Sequence, residues 1–509
     1  MKIVAIMALL LAFAPLAPAT ENKKPNVVFI LADDLGYGDL ACQNPKSKIP
    51  TPNMDRLATQ GIRFTDAHDP TAVCTPTRYG ILTGRYSWRG QLKHGVLAGY
   101  SRPLIESGRL TVGSLLQQQG YTTACIGKWH LGLEWPLKKA LDGNAPAGGE
   151  RVADTDGGLS MAKEESIDFT QPIKGGPCTR GFDYFYGIAA SLDMPPYVFI
   201  ENDHVVGQPT ARQEKIDSGY VRPGVKEPAF KFDEVLPQLT TKSIEFINRQ
   251  TRAKPFFLYF ALNAPHTPIA PAVQFKGKSR AGDYGDYVVE VDWVVGQILR
   301  SLEQQKLDEN TLVIVTSDNG PEILAYQRAK EFRHYSMGDW RGLKRDVWEG
   351  GHRVPFLARW PGRIKPGSLS DEIICETDLM ATLAAVLEVK LPKDAGEDSY
   401  NILPALLGET LSHPIREATV HHSDSGKFAI RQGSWVFIDA KTGGDRKEPD
   451  WFKQERGYQD DDLPGALYDL SHDADEHHNL YAEQPAKVKA LKALLEKYKT
   501  DGRSAPLAQ

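Results

Sequence analysis

Cysteine is scarce in this chain, and the few cysteines form no pattern. The 509 residues contain five, an odd number, at widely spaced positions: Cys42, Cys74, Cys125, Cys178 and Cys375. A disulfide-stapled scaffold is excluded, because such scaffolds are short and rich in cysteine, whereas a chain of this length can bury a core without staples. At least one thiol is therefore spare or special. The others are expected to be small buried side chains, and one or two disulfides could form.

The chain also lacks an excess of basic charge and, beyond its N-terminus, any long apolar run. The 60 Lys and Arg residues are outnumbered by 65 Asp and Glu residues, for a formal net charge of −5. This excludes the basic surface that draws proteins onto nucleic acid, so an anionic substrate would need a local positive pocket. No segment after residue 20 approaches the roughly 20 apolar residues of a membrane span.

The N-terminus has the layout of a secretory signal peptide. Lys2 precedes an apolar run over residues 3–13, and Ala17-Pro18-Ala19 fits a cleavage site. A membrane anchor is the alternative, but the apolar run is too short, and Pro15 and Pro18 interrupt the residues after it. We expect residues 1–19 to be a signal peptide and the protein to be exported, either periplasmic or secreted.

Three apolar, β-branched runs predict strands that are buried on both faces of a parallel sheet. They cover residues 27–32, 255–262 and 311–317, and polar residues follow each one. Amphipathic helical patterns alternate with them, over residues 53–61, 112–120, 236–249 and 284–304. The alternation predicts an α/β fold with a doubly wound sheet, in which ligands gather at the carboxyl ends of the strands.

The pattern changes at about residue 413. Short strand patterns follow one another, and a final amphipathic helix is predicted over residues 485–499. We therefore predict a large α/β domain over residues 20–413 and a smaller C-terminal α+β domain over residues 414–509. Two segments rich in glycine, proline and charge, residues 137–177 and much of 207–232, are expected to be long loops.

Polar residues after two of the strands predict a metal site. Asp33, Asp34, Asp318 and Asn319 offer only oxygen ligands, which calcium and magnesium prefer, whereas zinc favours histidine or thiolate. Neighbouring strand ends could bring the two pairs together. Taken alone, each pair is more typical of a turn or a helix cap. When the two pairs are taken together with the motif around Cys74, a metal site is favoured over a turn or a helix cap.

That motif, Cys74-Thr75-Pro76-Thr77-Arg78, places a cysteine at the start of a predicted helix. Pro76 suits the first helical turn, where its missing N–H forfeits no hydrogen bond. Cys74 would lie at the positive end of the helix dipole, facing any bound anion. Arg78, one turn later, could reach back to the same place. Unmodified, Cys74 could be a thiolate nucleophile or a buried structural cysteine.

Further basic residues and histidines follow in short motifs. Lys128 and His130 lie two residues apart, so on an extended segment they would point to one side and could address an oxyanion and a proton. His266 lies between two prolines that stiffen its loop, and Lys344 precedes the motif of residues 348–355. Taken singly, such residues are more often surface lysines and hydrogen-bonded core histidines.

Together these motifs resemble the formylglycine-dependent sulfatases of the arylsulfatase type, in the alkaline phosphatase-like superfamily. The resemblance covers residues 26–38, 51–57, 74–85, 127–132, 180–183, 264–268, 316–320, 344–355 and 467–480. It implies a sulfuric ester hydrolase whose catalytic domain is the α/β domain predicted over residues 20–413, built as an α/β/α sandwich. It also implies that the smaller C-terminal domain contains a four-stranded antiparallel sheet.

The resemblance implies two cofactors. One calcium ion would be bound by Asp33, Asp34, Asp318 and Asn319, and Cys74 would lie beside it, oxidised to formylglycine by a maturation enzyme. One hydroxyl of the formylglycine hydrate would attack sulfur to give a covalent sulfated intermediate. The second hydroxyl would then expel sulfate, a route that a plain serine or cysteine lacks.

The resemblance also implies how the remaining site residues act. Arg78 and Lys128 would orient the hydrate and the sulfate, and His130 would accept a proton from the hydrate. His266 and Lys344 would contact the sulfate near the leaving oxygen. Such a set can neutralise a sulfate anion and stabilise a departing alkoxide.

The substrate is expected to be a sulfated saccharide. Residues 191–197 and 201–204 resemble pocket-lining stretches of the galactose and N-acetylgalactosamine 6-sulfatase branch, which makes Asp193 and His204 candidate sugar contacts. A proline-shaped loop explains the first stretch equally well. Two other functions stay open: a phosphomonoester or phosphonate ester hydrolase of the same superfamily, and a carbohydrate-binding protein in which Cys74 stays a thiol and the centre is inactive.

Overall fold

The computed structural model describes residues 24–138, 151–153 and 160–507, so the predicted signal peptide lies outside the described residues. The strands, in chain order, are β1 (Asn26–Asp33), β2 (Ile62–Phe64), β3 (Ala67–His68), β4 (Thr122–Lys128), β5 (Arg151–Ala153), β6 (Ser160–Ala162), β7 (Tyr184–Ile188), β8 (Ile200–Glu201), β9 (His204–Val205), β10 (Ala211–Gln213), β11 (Gly224–Lys226), β12 (Phe256–Pro265), β13 (Thr311–Ser317), β14 (Phe356–Arg359), β15 (Ser368–Ser370), β16 (Ile374–Cys375), β17 (Thr419–His422), β18 (Phe428–Gln432), β19 (Trp435–Ile438) and β20 (Ala466–Asp469).

The α-helices are α1 (Pro52–Gln60), α2 (Cys74–Thr83), α3 (Val112–Gln118), α4 (Phe232–Asn248), α5 (Gly282–Gln304), α6 (Ala325–Phe332), α7 (Glu349–His352), α8 (Leu379–Val386), α9 (Leu403–Leu406), α10 (Asp450–Arg456) and α11 (Pro485–Thr500). Within the described part of the chain, no helix has both the length and the apolar character needed to cross a membrane.

A mixed sheet of ten strands organises the larger part of the molecule, in the order β15-β2-β14-β13-β1-β12-β4-β7-β8-β9. The five central strands, from β13 to β7, run parallel. Antiparallel pairs flank them on both sides, β13 with β14 and β7 with β8. Parallel strands end at the same edge of a sheet, and this edge carries the candidate site.

The central strand β1 shows why the sheet is covered on both faces. All eight of its residues are buried. Val27, Phe29 and Leu31 belong to a core that includes residues of α2, α3 and α8. Val28 and Ile30 belong to a second core, which includes residues of α1, α4 and α5. Because successive side chains point to opposite faces of a strand, this burial produces the expected α/β/α sandwich.

The expected four-stranded antiparallel sheet is also present, in the order β17-β18-β19-β20. One face packs on α11 through Leu491 and Leu495, and the other packs on Val347 and Trp348, which directly precede α7. This second contact lies close in sequence to Lys344. The small sheet therefore supports a segment that contributes to the candidate site.

The described residues also bear on the predicted secondary structure, one predicted loop and the disulfides. The strand and helix patterns are confirmed, with boundaries that differ by a few residues. Residues 207–232, expected to be a long loop, contain the β10–β11 hairpin. All five cysteines are free, so the one or two disulfides that could have formed are absent.

Candidate active site

Four neighbouring strand ends bring the candidate residues to one edge of the large sheet. Ala32 of β1 pairs with Ser317 of β13, so Asp33-Asp34 and Asp318-Asn319 leave the sheet side by side. Asp33 also pairs with Pro265 of β12, which His266 follows. Lys128 is the last residue of β4, on the far side of β12. Asp34 and Asn319, which are 285 positions apart in sequence, thus come within hydrogen-bond distance.

Cys74 reaches this edge as the first residue of α2. The preceding residue, Val73, is extended, and every residue of α2 is buried. The Cys74 Sγ atom lies 3.5 Å from Asp33 Oδ1. Burial raises the pKa of the Cys74 thiol to about 12, against the lowering effect of Lys128 and Lys344. A thiol with this pKa is protonated at neutral pH, which argues against an unmodified thiolate nucleophile.

Three buried carboxylates at this edge are each paired with a buried cation. The pairs are Asp33 Oδ2 with Lys128 Nζ at 2.7 Å, Asp34 Oδ1 with Lys344 Nζ at 2.7 Å, and Asp318 Oδ2 with Arg78 Nη2 at 2.7 Å. Arg78 also donates through Nε to Asp318 and through Nη1 to the Lys128 carbonyl. The guanidinium therefore has a fixed orientation, as expected for a planar fork of donors.

The three carboxylates differ in how readily they ionise. Burial raises the pKa of Asp33, but Lys128, His266 and Arg78 outweigh it and hold that pKa well below its usual range. The pKa of Asp34 is lowered too, because Lys344 and His266 outweigh burial. The pKa of Asp318 is raised, because burial and the charge of Asp33 outweigh Arg78. A further positive charge would therefore stabilise the ionised form of Asp318.

The donor atoms at this site suit a hard divalent cation. Asn319 donates through Nδ2 to Asp34 Oδ1 at 2.7 Å, and its own Oδ1 is buried with no hydrogen-bond partner among the described residues. Asp34 has a φ of +67°, a left-handed conformation that is costly for a residue with a side chain. Three carboxylates and an orphaned amide oxygen, all on strand ends, fit the oxygen ligands of calcium.

His130 departs from the expected geometry. β4 ends at Lys128, and His130 has a φ of +54°, so the extended segment on which the two side chains would share one side does not include His130. The ring is nevertheless buried in the cavity wall, with Nε2 2.7 Å from the Leu97 carbonyl. Nε2 must donate there, so Nδ1, which has no partner among the described residues, is the acceptor. Burial and the charge of Lys128 place the His130 pKa well below its usual value.

A cavity of about 770 Å³ opens above these groups and joins Cys74, His130, His266 and Lys344. His266 Nε2 lies 3.7 Å from Asp34 Oδ2, and its Nδ1 lies 2.6 Å from the Thr267 carbonyl. Asp193 is part of the cavity wall, and its buried Oδ1 has no hydrogen-bond partner among the described residues. This oxygen lies 4.0 Å from His266 Nδ1, so the two residues are neighbours in the cavity wall.

His204, the second candidate sugar contact, lies elsewhere. It is on β9, the outermost strand of the large sheet, where its side chain is 58% exposed and pairs with Asp203. It is not among the cavity-lining residues. The cavity wall also includes Tyr220, Arg222 and Arg345, which the sequence did not single out. Tyr220 and Arg222 lie in no recognisable motif, and Arg345 lies in the matched segment 344–355 but was not marked as a site residue.

Comparison with known proteins assigns this arrangement to a family. Residues 25–389 match the sulfatase family. The chain belongs to that family. This sulfatase is 35% identical to the N-acetylgalactosamine-6-O-sulfatase of Bacteroides thetaiotaomicron, over 94% of each chain. It is 33% identical to arylsulfatase A of Homo sapiens, over 96% of this chain and 90% of that relative.

A solved structure agrees with this assignment. A sulfatase structure described with glycosaminoglycan metabolism in Bacteroides thetaiotaomicron superposes with a TM-score of 0.78 at 34% identity, covering 94% of this chain and 100% of that one. Together these findings make the protein a sulfuric ester hydrolase with the alkaline phosphatase-like fold.

Proposed function

We propose that this sulfatase is exported and hydrolyses the 6-O-sulfate ester of N-acetylgalactosamine or galactose in sulfated saccharides. The name of the relative that shares 35% identity over 94% of both chains supports the sugar and the position. One observation is the main support for the proposed reaction. Cys74, the first residue of α2, lies beside Asp33 and near Lys128 and Lys344, and it lines a cavity that a ligand can enter. Lys128, Lys344 and Arg78 are balanced by three carboxylates, so a divalent cation bound among them would supply the local positive charge that an anionic substrate needs.

The two lysines are suited to hold the sulfate. Each ammonium has three N–H donors, and Lys128 uses one on Asp33 while Lys344 reaches both oxygens of Asp34. Donors therefore remain for sulfate oxygens. Arg78 is different, because its Nε, Nη1 and Nη2 groups all bind protein oxygens. Its role is to fix Asp318 and to add positive charge beside the nucleophile.

The histidines are suited to move protons. His130 offers the lone pair of Nδ1, since its Nε2 donates to the Leu97 carbonyl, and it can accept the proton of an attacking hydroxyl. His266 holds Nδ1 against the Thr267 carbonyl, so as an imidazolium it would present an Nε2 proton to the leaving oxygen. Lys344 is the other candidate donor to that oxygen.

Two groups complete the proposed site. Calcium, held by Asp33, Asp34, Asp318 and Asn319, would neutralise charge on the sulfate oxygens. Formylglycine made from Cys74 by a maturation enzyme would supply, as its hydrate, one hydroxyl to attack sulfur and another to release sulfate.

Parallel assays on matched esters test the proposal. We expect sulfate release from 6-O-sulfated N-acetylgalactosamine to exceed phosphate release from its 6-phosphate, with the Cys74 peptide showing the mass of an aldehyde in place of a thiol. Faster phosphate or phosphonate ester hydrolysis would overturn the assignment of sulfate as the substrate. An unoxidised Cys74 together with saccharide binding and no turnover would instead support an inactive carbohydrate-binding protein.

A further inference from the structure

The mouth of the cavity carries an aromatic ring that the proposed chemistry does not use. Tyr220 is 54% exposed, yet it lines the same cavity as Cys74 and Lys344. Within the described residues, neither a hydrogen bond of its hydroxyl nor a ring contact fixes the side chain. Large aromatic residues are usually buried because of the apolar area they carry. Exposure of the ring at this place has no explanation in the packing of the fold.

The backbone presents this ring at an energetic cost. Tyr220 has φ 57° and ψ 17°, a left-handed conformation that is unfavourable for residues other than glycine. Ile216 and Val221 exchange backbone hydrogen bonds of 3.1 and 3.0 Å, and Tyr220 donates to Asp217, which closes a tight turn. Val221, the next residue, is buried in the core. Burial of Val221 thus anchors the turn, while the Tyr220 side chain stays exposed.

Two contacts connect the turn to segments of the active site. The Arg222 amide donates to the Asp193 carbonyl at 2.9 Å, and the Tyr197 hydroxyl lies within hydrogen-bond distance of both the Asp193 and Arg222 carbonyls. At the tip, Gly219 packs against Pro268, since an added Cβ would lie 3.3 Å from the proline Cβ. Pro268 belongs to the loop that carries His266. The position of the Tyr220 backbone is therefore fixed relative to the cavity.

We infer that Tyr220 forms a second sugar subsite, in which its ring stacks on the sugar adjacent to the one that bears the scissile sulfate. The C–H face of a pyranose is apolar and weakly positive, and it complements the negative face of an aromatic ring. The cavity of about 770 Å³ lies in the upper part of the range for small-molecule sites. Ile323, 38% exposed, adds a second apolar side chain to the same cavity wall.

This inference rests on the proposed hydrolysis of sulfated saccharides, and the substrate becomes a chain of at least two sugars. The test compares two substrates: 6-O-sulfated N-acetylgalactosamine alone, and the same residue linked to one further sugar. We expect Tyr220→Ala to lower kcat/KM on the longer substrate about three- to tenfold, mainly through a higher KM. The kcat/KM on the monosaccharide should not change.

Two variants serve as matched controls. Tyr220→Phe keeps the ring and should retain the advantage of the longer substrate over the monosaccharide. Ile216→Ala changes an exposed side chain of the same turn that does not line the cavity, and it should leave kcat/KM on both substrates unchanged. Equal melting temperatures would show that all three variants fold. A loss of the same size on both substrates, or no loss on either, would overturn the inference.

A binding measurement separates the subsite from the proposed activity. Binding is measured in a Cys74→Ala protein, so that no turnover is needed. There we expect Tyr220→Ala to raise the dissociation constant of the longer saccharide about three- to tenfold and to leave that of the monosaccharide unchanged. If the unmodified protein cleaves no sulfate ester but this difference appears, the proposed function fails and the subsite stands. If Tyr220→Ala leaves the dissociation constant of the longer saccharide unchanged, the subsite is rejected.

Discussion

Replacement of Lys128 by alanine should leave the Asp33 carboxylate buried without its nearest cation. The Lys128 Nζ and Asp33 Oδ2 atoms lie 2.7 Å apart, and both side chains are fully buried. At an effective dielectric constant of about 20, Coulomb's law gives the pair roughly 6 kcal/mol. Measured losses after one partner of a buried pair is removed are about 3–5 kcal/mol. Because Arg78 Nη2 remains 3.7 Å from Asp33 Oδ1, we expect the lower end, about 3 kcal/mol.

Denaturant unfolding of metal-free protein at neutral pH measures this loss. The decisive comparison is a double-mutant cycle with Asp33→Asn, which removes the stranded charge. We expect the Lys128→Ala, Asp33→Asn double variant to be more stable than Lys128→Ala alone. Simple additivity of the two losses would refute the reasoning, because it would mean that the carboxylate does not cause the loss.

Enzyme kinetics test the second role of the same residue. In the proposed mechanism, Lys128 adds positive charge where the transition state carries negative charge, so Lys128→Ala should lower kcat and not only raise KM. Calcium added to the variant should recover part of its stability, since an ion bound at Asp33 stabilises the folded state. A defect confined to KM would count against the proposed role.

Three further changes test other parts of the structure. Asp318→Ala should abolish calcium binding, measured as metal content after dialysis, and unchanged content would put the ion elsewhere. Arg431→Ala removes ion pairs to the partly buried Asp66 and to buried Glu349, while Arg353 still pairs with both carboxylates. The free energy of unfolding should therefore fall by less than the about 3–5 kcal/mol typical of a buried charge that loses its only partner, and a change near zero would show that these pairs do not stabilise the fold. Burial raises the pKa of Glu290 to about 7, so the stability from this group is full below its unfolded pKa and is lost as pH rises through about 7. Glu290→Gln should flatten the dependence of stability on pH between about pH 4.5 and 7, and an unchanged slope would contradict the shift.

The fold and the centre of the site were predictable because local pattern and topology agree. Runs such as residues 27–32 can only be buried on both faces, and parallel strands must end at one edge of a sheet. This logic was enough to expect that Asp33-Asp34 and Asp318-Asn319 would meet. The resemblance to a family added Cys74 as the reacting group, which position alone did not select.

The errors and omissions share one physical cause, which is dependence on distant parts of the chain. His130 has a left-handed φ, and its ring contacts the Leu97 carbonyl, which no local pattern reveals. His204 resembled a pocket residue by its neighbours in sequence, yet β9 carries it to the sheet edge. Tyr220 lines the cavity from a turn that is followed by Arg222, whose amide donates to the Asp193 carbonyl. Sequence spacing contains none of these contacts.

The central claim is that Cys74 is the centre of sulfate ester hydrolysis. Sulfate released from 6-O-sulfated N-acetylgalactosamine by the unmodified protein and by Cys74→Ala, at equal concentration and with equal melting temperatures, tests it most directly. We predict steady release by the unmodified protein and none above background by Cys74→Ala, because alanine provides no group that can be oxidised to an aldehyde. Equal release by the two proteins would contradict the claim.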